Sequence, residues 1–142
     1  MKEFVSEASS SCLCGSVNIK AINIDPRITA CHCDMCRKWG GGPALALHCG
    51  TEVEIDGIDK VHIYDSSEWA ERAFCANCGT HLFYRIKVTG EYSIPAGFFQ
   101  ELMCLEIEVQ YFCDRRPYYY CFANKTKELT AAEVFAKYAP AE

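Results

Sequence analysis

The chain has 142 residues, 50% of them hydrophobic and 23% charged, a balance that argues against disorder and fits one domain over residues 1–142. A formal charge of -5 with no basic tract argues against sequence-independent binding of DNA or RNA. The opening stretch MKEFVSEASSS carries two glutamates and no apolar core, so no secretory signal is expected, and no apolar run approaches the ~20 residues of a membrane span.

In chain order, Val17, Ile19 and Ala21 alternate with Ser16, Asn18 and Lys20 and predict a strand. Ala44 to Cys49 and Glu52 to Ile55 flank a Cys49-Gly50-Thr51 turn and predict a hairpin. Val61 to Tyr64 reads as a short strand, Ser66 to Arg72 as one helical turn, and His81 to Lys87 as a further strand. Leu105, Ile107, Val109 and Tyr111 alternate with Glu106, Glu108 and Gln110, the cleanest two-residue period in the chain. Thr130-Ala-Ala-Glu133 is a capping box, after which Val134, Phe135 and Tyr138 share one helical face until Pro140 ends it. The expectation is a mostly-β fold with a short C-terminal helix.

Cysteine is the unusual residue, with 11 in the chain. Without a signal sequence the chain is expected in the reducing cytoplasm, where metal ligation is favoured over disulfides. Seven cysteines form three groups: Cys12-Leu-Cys14, Cys31-His-Cys33-Asp-Met-Cys36, and Cys75-Ala-Asn-Cys78. A C-x-x-C turn brings two sulfurs within reach of one ion, and residues i and i+2 of an extended C-x-C point to one face. Gly15 and Gly79 follow two of the groups, where a knuckle calls for positive φ. Cys49, Cys104, Cys113 and Cys121 are isolated and read as small buried hydrophobes. Two divisions of the seven are open. Cys12, Cys14, Cys75 and Cys78 can close one site, leaving Cys31, Cys33 and Cys36 a second with a free position; alternatively, Cys33, Cys36, Cys75 and Cys78 can form a zinc ribbon.

The succession C-L-C-G-S-V, C-H-C-D-M-C-R-K-W-G and F-C-A-N-C-G-T-H-L-F resembles the glutathione-dependent formaldehyde-activating family, which includes the centromere protein V relatives, across roughly Ser11 to Ala123. The resemblance implies a β-tent of antiparallel sheets pinned by zinc, and two zinc ions per chain. Cys12, Cys14, Cys75 and Cys78 match the structural zinc ligands; Cys31, Cys33 and Cys36 match those of a catalytic-type zinc with an open position. It further implies a carbon–sulfur lyase joining glutathione or a related thiol to formaldehyde or a small aldehyde. The chain departs from the family at Gly97-Phe98-Phe99-Gln100, where a Gly-x-Leu-Asp element is common, and lacks the basic segments of the centromere relatives.

Arg37 and Lys38 directly follow the third cysteine of the central group and are candidate partners for substrate carboxylates. Arg115-Arg116 and Tyr118-Tyr119-Tyr120 read as a turn with packed aromatics or, less readily, as the rim of a pocket, and Gly40-Gly41-Gly42 as a hinge. His32 should point away from the sulfurs, and His48, His62 and His81 receive no role. Two other functions compete: a zinc-stabilised binding or chaperone module, and a methionine sulfoxide reductase-like repair enzyme with Cys75 as nucleophile.

Overall fold

Short runs rich in β-branched and aromatic residues favour sheet, and the computed structural model, which describes residues 3–138, folds them into two. The small sheet is antiparallel, in the order β1 (Val5–Ser11), β2 (Asn18–Ile24), β5 (Val53–Asp56). The large sheet contains β3 (Arg27–Cys31), β4 (Ala44–His48), β6 (Val61–Tyr64), β7 (Ala70–Cys75), β8 (His81–Ile86), β9 (Tyr92–Pro95), β10 (Glu106–Tyr111) and β11 (Lys127–Leu129). Its order is β11-β10-β3-β4-β9-β8-β7-β6.

Most neighbours are antiparallel, as expected, while β10 runs parallel to both β3 and β11, which makes the large sheet mixed. The chain returns from the loop after β9 to the free edge of β3 and enters in the direction of β3, with a bulge between Ile107 and Val109. The expected hairpin is also corrected. β4 pairs with β3 and β9, whereas β5 pairs with β2 in the other sheet. Residues 49–52 carry the chain across: the Cys49 amide donates to the Tyr92 carbonyl, and Glu52 accepts from the Ile22 amide.

Apolar faces of the two sheets meet in one core. Ile19, Ala21 and Ile24 of β2 are buried with Leu47, Leu82, Ile94 and Phe99; each large apolar side chain so buried contributes about 1.5–3 kcal/mol. Two α-helices join the sheets among the described residues: α1 (Asp34–Gly40), absent from the expectations, and α2 (Ala131–Tyr138). The capping box is made as expected, with the Thr130 amide on Glu133 Oε1 at 2.9 Å and the Glu133 amide on Thr130 Oγ1 at 3.3 Å. Pro140 lies outside the described residues. The expected helical turn at Ser66 to Arg72 is not formed; Ala70 onward is strand, and Lys87 donates its amide to Trp69. Of the isolated cysteines, Cys49 is fully buried as expected, but Cys104 and Cys121 are exposed and Cys113 half-buried. Cys104 and Cys121 sit in connecting segments outside the core, on either side of β10. No helix among the described residues is long and apolar enough to cross a membrane.

Candidate metal and substrate site

The β1–β2 turn and the β7–β8 turn meet at one edge of the core. Cys12-Leu13-Cys14 is not extended but folded into the first turn, whose Gly15 amide donates to the Cys12 carbonyl at 3.0 Å. Gly15 and Gly79 adopt φ of 81° and 80°, as the knuckles require, since a Cβ is disfavoured there. This brings the sulfurs of Cys12, Cys14, Cys75 and Cys78 to within 4.8 Å of one another. Cys12 Sγ lies 3.6 Å from Cys14 Sγ, and Cys14 Sγ 3.8 Å from Cys75 Sγ. A tetrahedral zinc with Zn–S bonds of about 2.3 Å has edges of about 3.8 Å, so the donor set fits zinc in chemistry and spacing.

The surroundings favour the thiolate at Cys14 and at Cys78. The Ser16 hydroxyl, 3.2 Å from Cys14 Sγ, and then Asn77 bring the Cys14 thiol down to about 5. The Thr80 hydroxyl, 3.1 Å from Cys78 Sγ, brings Cys78 down to about 7. Thr80 Oγ1 also accepts the Leu13 amide at 3.1 Å, tying the two turns together.

The second cluster is local. Cys31 ends β3, Cys33 caps α1 and Cys36 lies within it; their sulfurs also fall within 4.8 Å of one another. Cys33 Sγ accepts the Cys36 amide at 3.3 Å. Hydrogen bonds from Cys31 and Cys36 make Cys33 the most acidic thiol of the three, brought down to about 2. Cys33 and Cys36 therefore do not join Cys75 and Cys78, and the ribbon arrangement is not formed.

His32 turns away from the sulfurs and has 0% exposure. Its Nε2 donates to Gln110 Oε1 at 2.8 Å and its Nδ1 accepts the Tyr120 hydroxyl at 2.7 Å. Arg116 and Thr126 fix the Gln110 amide: Arg116 donates to Oε1 at 2.8 Å, and Gln110 Nε2 donates to Thr126 Oγ1 at 2.7 Å. That pattern holds neutral imidazole, and burial pushes its pKa below the ordinary value. The network anchors β3 to β10 directly behind the cysteines. Tyr120 is the packed member of the tyrosine run; Tyr118 is 100% exposed.

A group the sequence reading did not single out sits beside these thiols. Arg72, on β7, is only 6% exposed. Its Nη2 lies 3.6 Å from Cys36 Sγ and 4.0 Å from Met35 Sδ. The guanidinium stacks 5.1 Å from the Tyr84 ring centroid and 5.9 Å from that of Trp39. Burial raises Tyr84 to about 12 despite this cation, so its phenol stays protonated. In sequence Arg72 only ends the segment read as a helical turn. The strand register Arg72↔Tyr84 and the contact of its guanidinium with the Trp39 ring of α1 locate it.

Two cavities meet at Cys36, Arg72 and Tyr84. One, of about 400 Å³, includes Cys31 and Cys33 in its wall together with Arg115; the other, of about 730 Å³, extends past Trp39 to Cys12 and Gln100. Arg37 and Lys38 line neither. Arg37 folds back onto the knuckle, donating to the His32 carbonyl at 3.0 Å and to Asp34 at 2.7 Å. Gly41, with φ of 87°, ends α1 where a hinge was expected. His81 stacks on Trp39 at 4.6 Å, and His48 bonds Thr29 and Ser93. Cys75 is fully buried among the other cysteines of its cluster.

Comparison with known proteins agrees with these motifs. The family described as glutathione-dependent formaldehyde-activating enzyme matches over residues 7–115. A Schizosaccharomyces pombe protein named only as an uncharacterized lyase is 36% identical over 129 residues, which cover 90% of this chain and 94% of that one. In fold, the chain is similar to a Rhodobacter sphaeroides protein solved by crystallography, at a TM-score of 0.57 and 21% identity, over 67% of this chain and 90% of that one.

Proposed function

Because this chain belongs to the glutathione-dependent formaldehyde-activating enzyme family, we propose that it is a zinc-dependent carbon–sulfur lyase joining a thiol, glutathione or a relative, to a small aldehyde. The observation that carries the reading is the cluster of Cys31, Cys33 and Cys36, which offers three sulfurs rather than four and forms part of a cavity wall. Cys12, Cys14, Cys75 and Cys78 would hold a structural zinc and Cys31, Cys33 and Cys36 a second. Zinc with three protein ligands supplies an open position that favours the deprotonated form of a substrate thiol.

The reaction needs little else. The substrate sulfur attacks the aldehyde carbon, a C–S bond forms, the C=O π bond breaks, and the proton released by the thiol ends on the new hydroxyl. The reverse is the lyase direction. Arg72 supports both ends of this exchange. Its charge offsets the negative charge of the cysteines, and its remaining N–H groups stabilise the oxygen as it becomes anionic. The protonated Tyr84 beside it is a second donor. Arg72 is only 6% exposed, and its burial strengthens these interactions. Arg37 serves the knuckle rather than the substrate.

The test is exchange spectroscopy of glutathione with formaldehyde. Interconversion faster than the protein-free rate, lost in Cys31→Ser while the protein remains folded, is the expected result. No acceleration with any thiol and aldehyde would overturn the reading.

A further inference from the structure

A one-carbon aldehyde needs no cavity, yet the wall that contains Cys31, Cys33 and Cys36 encloses about 400 Å³, within the range of sites for drug-sized ligands. Most of the lining away from the cysteines is apolar; Thr29, Ser67 and Ser93 are small polar exceptions, and the Tyr111 and Tyr138 hydroxyls bond each other. Trp69 and Ile86 come from the large sheet and the segment leading into it, Phe112 follows β10, and Val134, Phe135 and Tyr138 come from α2. The aromatic side chains are set against one another: Phe135 stacks on Trp69 at 5.5 Å and meets Phe112 edge-on at 5.5 Å. The charged groups of the wall are Arg72, beside Cys36, and Arg115 with Asp34, which pair at 3.6 Å. The larger cavity across Arg72 differs, with Ser10, Ser11, Thr80 and Gln100 in its lining, which suits a polar thiol.

We propose that the smaller cavity receives the apolar body of an aldehyde several carbons long, with its carbonyl at Arg72 and Cys36. This rests on the thiol–aldehyde reading and names its substrate class. A polar aldehyde such as a sugar would bury hydroxyls against Trp69, Ile86 and Val134 without partners, which costs affinity. A straight alkyl chain instead gains about fourfold in affinity per methylene buried.

The experiment is a homologous series. Adduct formation with glutathione is measured for formaldehyde, ethanal, butanal, hexanal and decanal, each kcat/KM divided by the protein-free rate constant. The expected ratio rises about fourfold per methylene until the cavity is full and then levels or falls. Val134→Phe, which occupies part of the cavity from α2, should move that maximum to a shorter chain. A ratio greatest for formaldehyde and declining thereafter would overturn the inference and leave the reaction standing, as would a Val134→Phe maximum that does not move. A separate arm uses the unreactive 1-hexanol, titrated into Trp39→Phe protein so that Trp69 reports. Saturable fluorescence change, much weaker for ethanol, supports the apolar site. No saturable change overturns it. Saturation by hexanol without acceleration for any aldehyde would bring down the reaction while upholding the pocket.

Discussion

Thr80 and Arg72 each face a cysteine cluster from a neighbouring strand or turn, and each has a separable effect. Thr80 spans Leu13 and Cys78 through one hydroxyl, the position of a group that orients metal ligands. Thr80→Val keeps the shape and removes the bridge. Metal affinity at the four-cysteine cluster should fall by about 10–100-fold, measured by chelator competition. Arg72→Met removes a buried cation and its donors. Turnover should fall by about 10²–10³ while circular dichroism stays near that of the wild type; unchanged turnover would show that the guanidinium only packs. His48 carries a pH prediction. Burial pushes its pKa below the ordinary 6.5, so the unfolded chain binds its proton more readily. Its contribution to stability is complete above about pH 6.5 and is lost as pH falls through that value toward the folded-state pKa. Urea midpoints should drop between pH 7.5 and 5.5, and drop less in His48→Gln. The cysteine groups were legible because ligand spacing is written locally in the chain. Arg72 and Thr80 were not, because only strand pairing and turn contacts decide which arginine or threonine faces a sulfur.

At the scale of elements, legibility follows how much of a pattern is local. The β10 alternation of Leu105 to Tyr111 and the Thr130–Glu133 capping box are complete within a few residues, and both formed. The serine-rich β1 has no apolar alternation, and β3, with Ile28, Thr29 and Ala30 all buried, shows none because it is covered on both faces. Ala44 to His48 and Val53 to Asp56 looked like a hairpin because two strands with a short connection ordinarily pair; here the connection crosses between sheets. Gly41 ends α1 within its glycine run, and a helix that short is stabilised by its contacts rather than by its own propensity. The cap is the directly testable element. Thr130→Ala should weaken α2 by about 1 kcal/mol, and because α2 covers the apolar cavity, amides of residues 134–138 should exchange faster with solvent.

For the whole molecule, the two clusters have different structural reach. Cys12 and Cys14 sit in the turn of the small sheet, and Cys75 and Cys78 in a turn of the large one, so the first metal would tie the sheets together. Cys31, Cys33 and Cys36 staple only β3 to α1. Elemental analysis should give close to two zinc ions per chain. Cys75→Ser should lower that number and unfold the protein well below the wild-type melting temperature, whereas Cys31→Ser should also lose metal yet melt close to it. A Cys31→Ser variant as unstable as Cys75→Ser would make the second cluster structural.

The late arrival of β10 has a consequence for how the protein is made. β3 leads directly into Cys31, but its parallel partner ends at Tyr111, and α2 follows later still. At about 5–20 residues per second on the ribosome, the segment with Cys31, Cys33 and Cys36 precedes its neighbouring strand by about 4–16 s. During that interval the thiols lack the wall formed by Phe112 and α2, so a nascent chain exposes a soft-metal trap before it has a substrate cavity. Ions and electrophiles in the cell would meet those sulfurs before the finished protein can select among them.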